Sequence, residues 1–299
     1  MRITRIVRDF FVKSLTYMMF VDMDGVLIET AELRAALGDA RHVIVDCRYD
    51  LSDPDAGRRA WIEGHIPGAV YAHLHDDLSG PPLTDHGRHP LPGTGAMEAL
   101  FGRLGIGNDS RVTVYDDAGG SIAARLWWML RYMGHESVAL LNRGWQGWLA
   151  DGFEVETGEQ RAEPREFRGR PRPELLVVLD QVNSAGTLID SRDPARYRGE
   201  HEPLDPAAGH IPGAKNHFWK GNLDAAGAML APDRIRTGML AAGFAPDPGR
   251  TVFYCGSGVT ACLNVLAAVH AGLPMPRLYA GSWSEWCRDP ARPVQTGEG

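Results

Sequence analysis

With 299 residues, the chain is long enough for two domains of ordinary size, each with its own core. A hydrophobic share of 44% and a charged share of 23% are those of a soluble globular protein, and a net charge of -7 argues against a nucleic-acid partner while leaving room for a local positive site that takes a small anion. Four cysteines (Cys47, Cys255, Cys262 and Cys287), none in CxxC spacing, make no disulfide framework, so a reducing compartment, the cytoplasm, is expected. The histidines and cysteines lack ligand spacing and there is no nucleotide motif, so neither a metal nor a cofactor is expected.

In chain order, residues 1–24 read as an N-terminal extension. The run "MRITRIVRDFFVKSLTYMMFVDMDGVL" is apolar in patches but interrupted by Asp9 and Lys13, too short and too broken for a membrane span. A surface extension, a start at Met18 or Met19, or a targeting peptide all accommodate it. Inside it, "FVDMDGVL" resembles the first motif of haloacid dehalogenase phosphatases, with Asp22 as nucleophile and Asp24 as acid/base. The acidic and lysine motifs that such a fold needs downstream are absent, and a different, repeated pattern follows.

"VIVDCR" at 43–48 is answered by "TLIDSR" at 187–192, and "GHIPGA" occurs at both 64–69 and 209–214. "RVTVYDDAGGSIAARL" from Arg111 parallels "RTVFYCGSGVTACLNV" from Arg250, and the pair Trp145 and Trp148 parallels Trp283 and Trp286. Each half reads strand, loop with a His-Ile-Pro-Gly turn, helix, strand, loop, helix, strand. That alternation predicts an α/β fold: two tandem domains, each a parallel sheet flanked by helices. The expected limits are 25–155 and 175–299, joined by a proline-, glycine- and charge-rich linker at 156–174.

Within the second half, Thr251 to Tyr254 read as a buried strand and Ala261 to Ala271 as a helix, which leaves Cys255 between them. Gly256, Ser257 and Gly258 let the chain curl so that backbone N–H groups converge, and Thr260 is positioned to cap the helix. Convergent N–H groups at a helix N-terminus favour thiolate over thiol, so Cys255 is the expected nucleophile. The first copy has Asp116 at the same place. An aspartate cannot accept sulfur and would repel an anion, so the first domain is expected to be scaffold or pocket wall.

Strand-Cys-GSGVT-helix, the doubled GHIPGA and the terminal "YAGSWSEW" together resemble the two-domain rhodanese family of sulfurtransferases over about residues 25 to 297. The loop "CGSGVTA" is similar to that of members that use 3-mercaptopyruvate, whereas thiosulfate-preferring members carry more basic loops. The resemblance implies an active second domain facing an inactive first one. It further implies a small anionic sulfur donor, a Cys255 persulfide and a thiol, thioredoxin or cyanide as acceptor. Gly256, Gly258, Val259 and Thr260 then surround the donor, Arg196 binds its carboxylate with Arg192 close by, and Ser257 with His89 handles protons. His89 lies in a stretch five residues longer than its partner, counting His65 to Pro92 against His210 to Pro232. Two departures stand out. The family's relay aspartate falls on His75, leaving Asp76 or Asp77 to substitute, and no arginine lies between Arg198 and His210, where a second donor-binding arginine would be, leaving Arg198 for that role.

Three rival readings differ from this one at particular residues. Tyrosine phosphatases need an arginine six residues after the cysteine, and Ala261 stands there. Thiosulfate as the main donor suits a more cationic loop than this neutral one. A redox or sulfur-relay binding module would use Cys262, two helical turns beyond Cys255, as a resolving thiol, against its reading as a buried helical cysteine. His65, His210 and the tryptophan pairs occur in both copies and are expected to serve packing and turns.

Overall fold

The computed structural model describes residues 25–82 and 86–298. The extension at 1–24, with Met18, Met19, Asp22 and Asp24, lies outside the described residues.

The first unit contains β1 (Leu27–Ile28), α1 (Thr30–Ala35), β2 (His42–Asp46), α2 (Ala56–Glu63), β3 (Val70–Tyr71), α3 (Thr94–Arg103), β4 (Arg111–Tyr115), α4 (Ala123–Tyr132), β5 (Val138–Leu141) and α5 (Gly144–Ala150). The second contains β6 (Leu176–Val177), β7 (Thr187–Asp190), α6 (Pro194–Arg198), β8 (Lys215–Asn216), α7 (Pro232–Ala241), β9 (Thr251–Tyr254), α8 (Ala261–His270), β10 (Arg277–Tyr279) and α9 (Ser282–Trp286). Each forms a five-stranded parallel sheet, in the orders β1-β5-β4-β2-β3 and β6-β10-β9-β7-β8. The central strands are short apolar runs buried on both faces, as parallel sheets covered by helices require. Register repeats as well: Asp46 pairs with Tyr115 across β2 and β4, and Asp190 with Tyr254 across β7 and β9.

The repeat explains several pairs of residues. Arg48 forks onto Asp46 (2.7 Å), donates to the Gly64 carbonyl (2.6 Å) and lies over Trp145; Arg192 does the same with Asp190 (2.6 Å), Gly209 (2.6 Å) and Trp283. His65 Nδ1 meets the Trp61 carbonyl, and His210 Nδ1 the Tyr197 carbonyl, each at 2.7 Å. The Trp148 and Trp286 indoles donate to the carbonyls of Glu154 and Pro293. These duplicated contacts are structural, as expected of residues present in both copies. Each copy also has a helix, α2 or α6, ahead of the His-Ile-Pro-Gly turn, which the predicted element order omits.

α4 and α8 are apolar almost all round, which is the pattern of helices buried on every side. They pack against each other across the two units, and the resulting core runs continuously from Leu126 and Trp127 to Val265 and Leu266. The stretch 157–172 carries no helix or strand and is laid along the first unit: Arg165 N–H donates to Gly102, Arg170 to Met133 and Arg172 to Tyr132, while Phe167 packs on Phe101. Among the described residues no helix is long and apolar enough to cross a membrane, and no cluster of three or more His, Cys, Asp or Glu residues is arranged to hold a metal.

Candidate active site

Cys255 follows the carboxyl end of β9, the edge of a parallel sheet where ligands bind. Its side chain is buried, and the Gly258 N–H donates to its Sγ at 3.2 Å. Gly258 holds φ +76°, and a Cβ there would stand 2.1 Å from the Ala280 carbonyl oxygen. The loop is fastened to the turn that opens α9. Cys255 N–H donates to Ser282 Oγ (3.1 Å), and the amides of Trp283 and Ser284 donate to the carbonyls of Cys255 and Gly256. Thr260 does stand at the N-cap of α8 but makes no side-chain cap bond, its backbone being already helical rather than extended.

The first copy shows what this loop geometry binds. Asp116 is fully buried, and its carboxylate accepts the backbone N–H groups of Ala118, Gly120, Ile122 and Ala123 at 2.7 to 2.8 Å. The anion cradle of the first domain is thus filled by its own side chain. Rather than merely repelling a ligand, Asp116 occupies the place of one.

A cavity of about 240 Å³ opens over Cys255 between the two units. Gly256, Ser257, Val259, Thr260, Arg192, Arg196 and His89 all line it, whereas Gly258 lies behind the loop against Ala280. Ser257 Oγ and His89 Nδ1 are 2.7 Å apart, across the domain boundary. Burial, helped by the charges of Arg125, His75 and Arg88, holds the His89 imidazole down to about 3, so it is neutral at ordinary pH. His89 Nε2 is 2.9 Å from His75 Nε2, and His75 in turn touches the Tyr49 hydroxyl. Asp76 and Asp77 do not substitute for the family aspartate. Asp76 pairs with His73, and Asp77 takes the His73 amide and Arg103. His75 itself stands behind His89.

The arginines divide. Arg192 reaches the cavity wall, but its guanidinium is committed to Asp190, Gly209 and Glu202, the structural arrangement already seen at Arg48. Arg196 is held on one edge by Glu202 (2.7 and 2.9 Å), while its Nη2 and Nη1 lie 3.5 and 3.6 Å from where a Cβ on Gly256 would be. Arg198 pairs with Glu200 at the surface and does not line the cavity. Three cations escaped the sequence reading. Lys220 and Arg88 line the cavity. Arg125, wholly buried in α4, donates to the carbonyls of Gly258 (2.9 Å), His89 (3.0 Å) and Leu78 (3.3 Å), tying the Cys255 loop to the His89 loop. A lone arginine in the otherwise apolar "AARLWWML" was the available signal. Cys262 is fully buried, its S–H meets the Gly258 carbonyl at 3.3 Å, and burial pushes the thiol up to about 12. That environment suits a core cysteine and not a resolving thiol.

Comparison with known proteins agrees with this architecture. The rhodanese-like domain family matches residues 29–151 and again 174–289. A protein of Pseudomonas aeruginosa named "Probable 3-mercaptopyruvate sulfurtransferase" is 43% identical over 91% of this chain and 98% of its own. The thiosulfate sulfurtransferase of Bos taurus is 34% identical over 81% of this chain and 84% of its own. Among solved structures, the 3-mercaptopyruvate sulfurtransferase from Leishmania major superposes with a TM-score of 0.79 at 31% identity, covering 89% of this chain and 76% of that one. With both halves matched and relatives this similar over most of its length, the chain belongs to the two-domain rhodanese family of sulfurtransferases.

Proposed function

We propose that this sulfurtransferase takes its sulfur from 3-mercaptopyruvate, carries it as a persulfide on Cys255, and delivers it to a thiol, thioredoxin or cyanide. The observation that carries the donor assignment is the 2.7 Å contact between Ser257 and His89 beside Cys255. A donor that leaves as a carbanion needs a proton at carbon, and a donor such as thiosulfate does not.

The donor's carboxylate sits at Arg196, with its thiol over Cys255. The Cys255 thiolate attacks the donor sulfur, forming the S–S bond of the persulfide as the C–S bond breaks. Its electron pair passes to carbon 3, giving the enolate of pyruvate. Ser257 gives that carbon a proton and recovers it from His89 Nδ1–H. In the same step His89 Nε2 takes the Nε2–H proton of His75, and His75, which is exposed, takes one at Nδ1 from solvent. That proton matches the one that the donor thiol releases through the new persulfide, so both rings end neutral with their tautomers exchanged. In the second half-reaction an acceptor thiolate or cyanide attacks the outer sulfur and Cys255 leaves as thiolate, completing a ping-pong cycle.

Gly256, Val259 and Thr260 shape the pocket around the donor, and Gly258 fixes the loop from behind. Four buried free cysteines favour a reducing compartment such as the cytoplasm. Initial rates with 3-mercaptopyruvate and thiosulfate, read as pyruvate and thiocyanate against a Cys255→Ser blank, test the donor. A higher kcat/KM for 3-mercaptopyruvate is expected, and a higher value for thiosulfate overturns the assignment in favour of a thiosulfate:cyanide sulfurtransferase.

A further inference from the structure

The two copies hold their central side chains differently. Asp116 takes four backbone N–H groups at 2.7 to 2.8 Å, whereas Cys255 Sγ, in the equivalent loop, takes one among the described residues, from Gly258 at 3.2 Å. A thiolate at a residue 2% exposed, with so few donors on it, needs charge from elsewhere. α4 brings a cation to it from the other domain. The Arg125 guanidinium, 0% exposed, grips the carbonyl of Gly258, the residue whose N–H meets Sγ, and the carbonyl of His89, whose ring meets Ser257. Its hydrogen bonds end on carbonyl oxygens, and among the described residues no carboxylate pairs with it. An arginine keeps its charge in a protein, and a buried one without a counter-ion is costly. The groups whose charge acts on it are Cys255 and Cys262, and burial holds Cys262 as a thiol. Cys255 is the one left to answer the cation. The repeat supplies a control: Asn264 stands nine residues after Cys255, as Arg125 stands nine after Asp116. Asn264 is neutral and bonds Ser191 and the His217 carbonyl within its own domain.

We propose that Arg125 is the counter-charge of Cys255, a positioning residue of the first domain that stabilises the thiolate and the persulfide anion after it, and that fixes the Gly258 N–H on the sulfur. This rests on the reading of Cys255 as the sulfur carrier. The first domain, with Asp116 in place of a reactive cysteine, thereby contributes charge to a step common to every donor.

The test compares Arg125→Met with the parent, reading the rate at which iodoacetamide modifies the Cys255 peptide at pH 7 and at pH 10. In Arg125→Met the rate should fall about tenfold at pH 7, through a smaller share of thiolate, and return to within about twofold of the parent at pH 10. Turnover at pH 7 should fall by a similar factor with 3-mercaptopyruvate and with thiosulfate, since both begin at the same sulfur. An unchanged alkylation rate at pH 7 overturns the proposal while leaving Cys255 as the carrier. Equal losses at both pH values also overturn it, because they assign Arg125 to packing alone, and a turnover loss confined to 3-mercaptopyruvate assigns it to the placement of His89. A Cys255 peptide that stays unmodified in the parent at both pH values removes the carrier reading and the counter-charge together. Where Arg125→Met does not fold, urea unfolding of the parent and of Cys255→Ser decides. The parent's advantage should grow from pH 6 to pH 9, because serine cannot supply the anion, and an advantage that is constant or shrinks overturns the proposal.

Discussion

Replacing His89 by alanine separates the two donors. The imidazole is buried against Ser257 and His75, and burial lowers its pKa to about 3, so it is neutral at pH 7. What the substitution removes is therefore a neutral relay, for which loss of positioned proton transfer costs about 10² or more in rate, or about 2.7 kcal/mol of transition-state stabilisation. With 3-mercaptopyruvate, kcat should fall about 100-fold while KM stays within a few-fold. With thiosulfate the leaving sulfite needs no proton at carbon, and kcat should fall less than about threefold. The bond from Arg125 goes to the His89 backbone carbonyl, so the loop keeps its anchor in the variant. Pyruvate release under single-turnover conditions reads the step directly. Equal losses with both donors, or no loss with 3-mercaptopyruvate, would refute the relay.

Gly258→Ala should abolish transfer and cost about 3 kcal/mol or more in urea unfolding, because φ is +76° and the added Cβ would meet the Ala280 carbonyl oxygen at 2.1 Å. Gly68→Ala, at φ +78° with nothing within 4 Å, should cost only about 1 kcal/mol, and equal costs at the two sites would remove the clash from the account. Stability should also fall in acid. Burial lowers His89 to about 3 and His42 to about 4, below their unfolded value of 6.5, so the unfolded chain takes up these protons first. Their stabilisation is complete above pH 6.5 and is lost as pH falls towards 4, at about 1.4 kcal/mol per pH unit for each histidine. A melting temperature that is flat from pH 7 to 5, or one whose slope does not decrease in His42→Gln, would contradict this.

The sequence disclosed the duplication, the parallel sheets and the strand-cysteine-loop-helix unit, because these rest on local periodicity and on a repeat that serves as its own control. It also brought Ser257, His89 and Arg196 to one cavity. It did not disclose Arg88 or Arg125, since each acts across the domain boundary, where partners lie far apart in the chain and no spacing rule applies, nor the part of His75, whose contact with His89 joins two irregular turns of the first domain that carry no periodicity. α6 spans Pro194–Arg198, too short for its periodicity to register, and so was missed ahead of its turn. Arg192 was misleading for a different reason. It borders the cavity, but its counterpart Arg48 shows that the same fork holds a turn in a domain with no cysteine at the active position.

The central claim is that Cys255 itself carries the transferred sulfur. Mass analysis of the protein after brief exposure to 3-mercaptopyruvate, with peptide mapping before and after addition of cyanide, tests it most directly. The account predicts one additional sulfur atom on the peptide containing Cys255, lost on cyanide addition as thiocyanate appears, and no such gain in Cys255→Ser. Thiocyanate formation without sulfur on that peptide, or sulfur retained on Cys47, Cys262 or Cys287 instead, would contradict it.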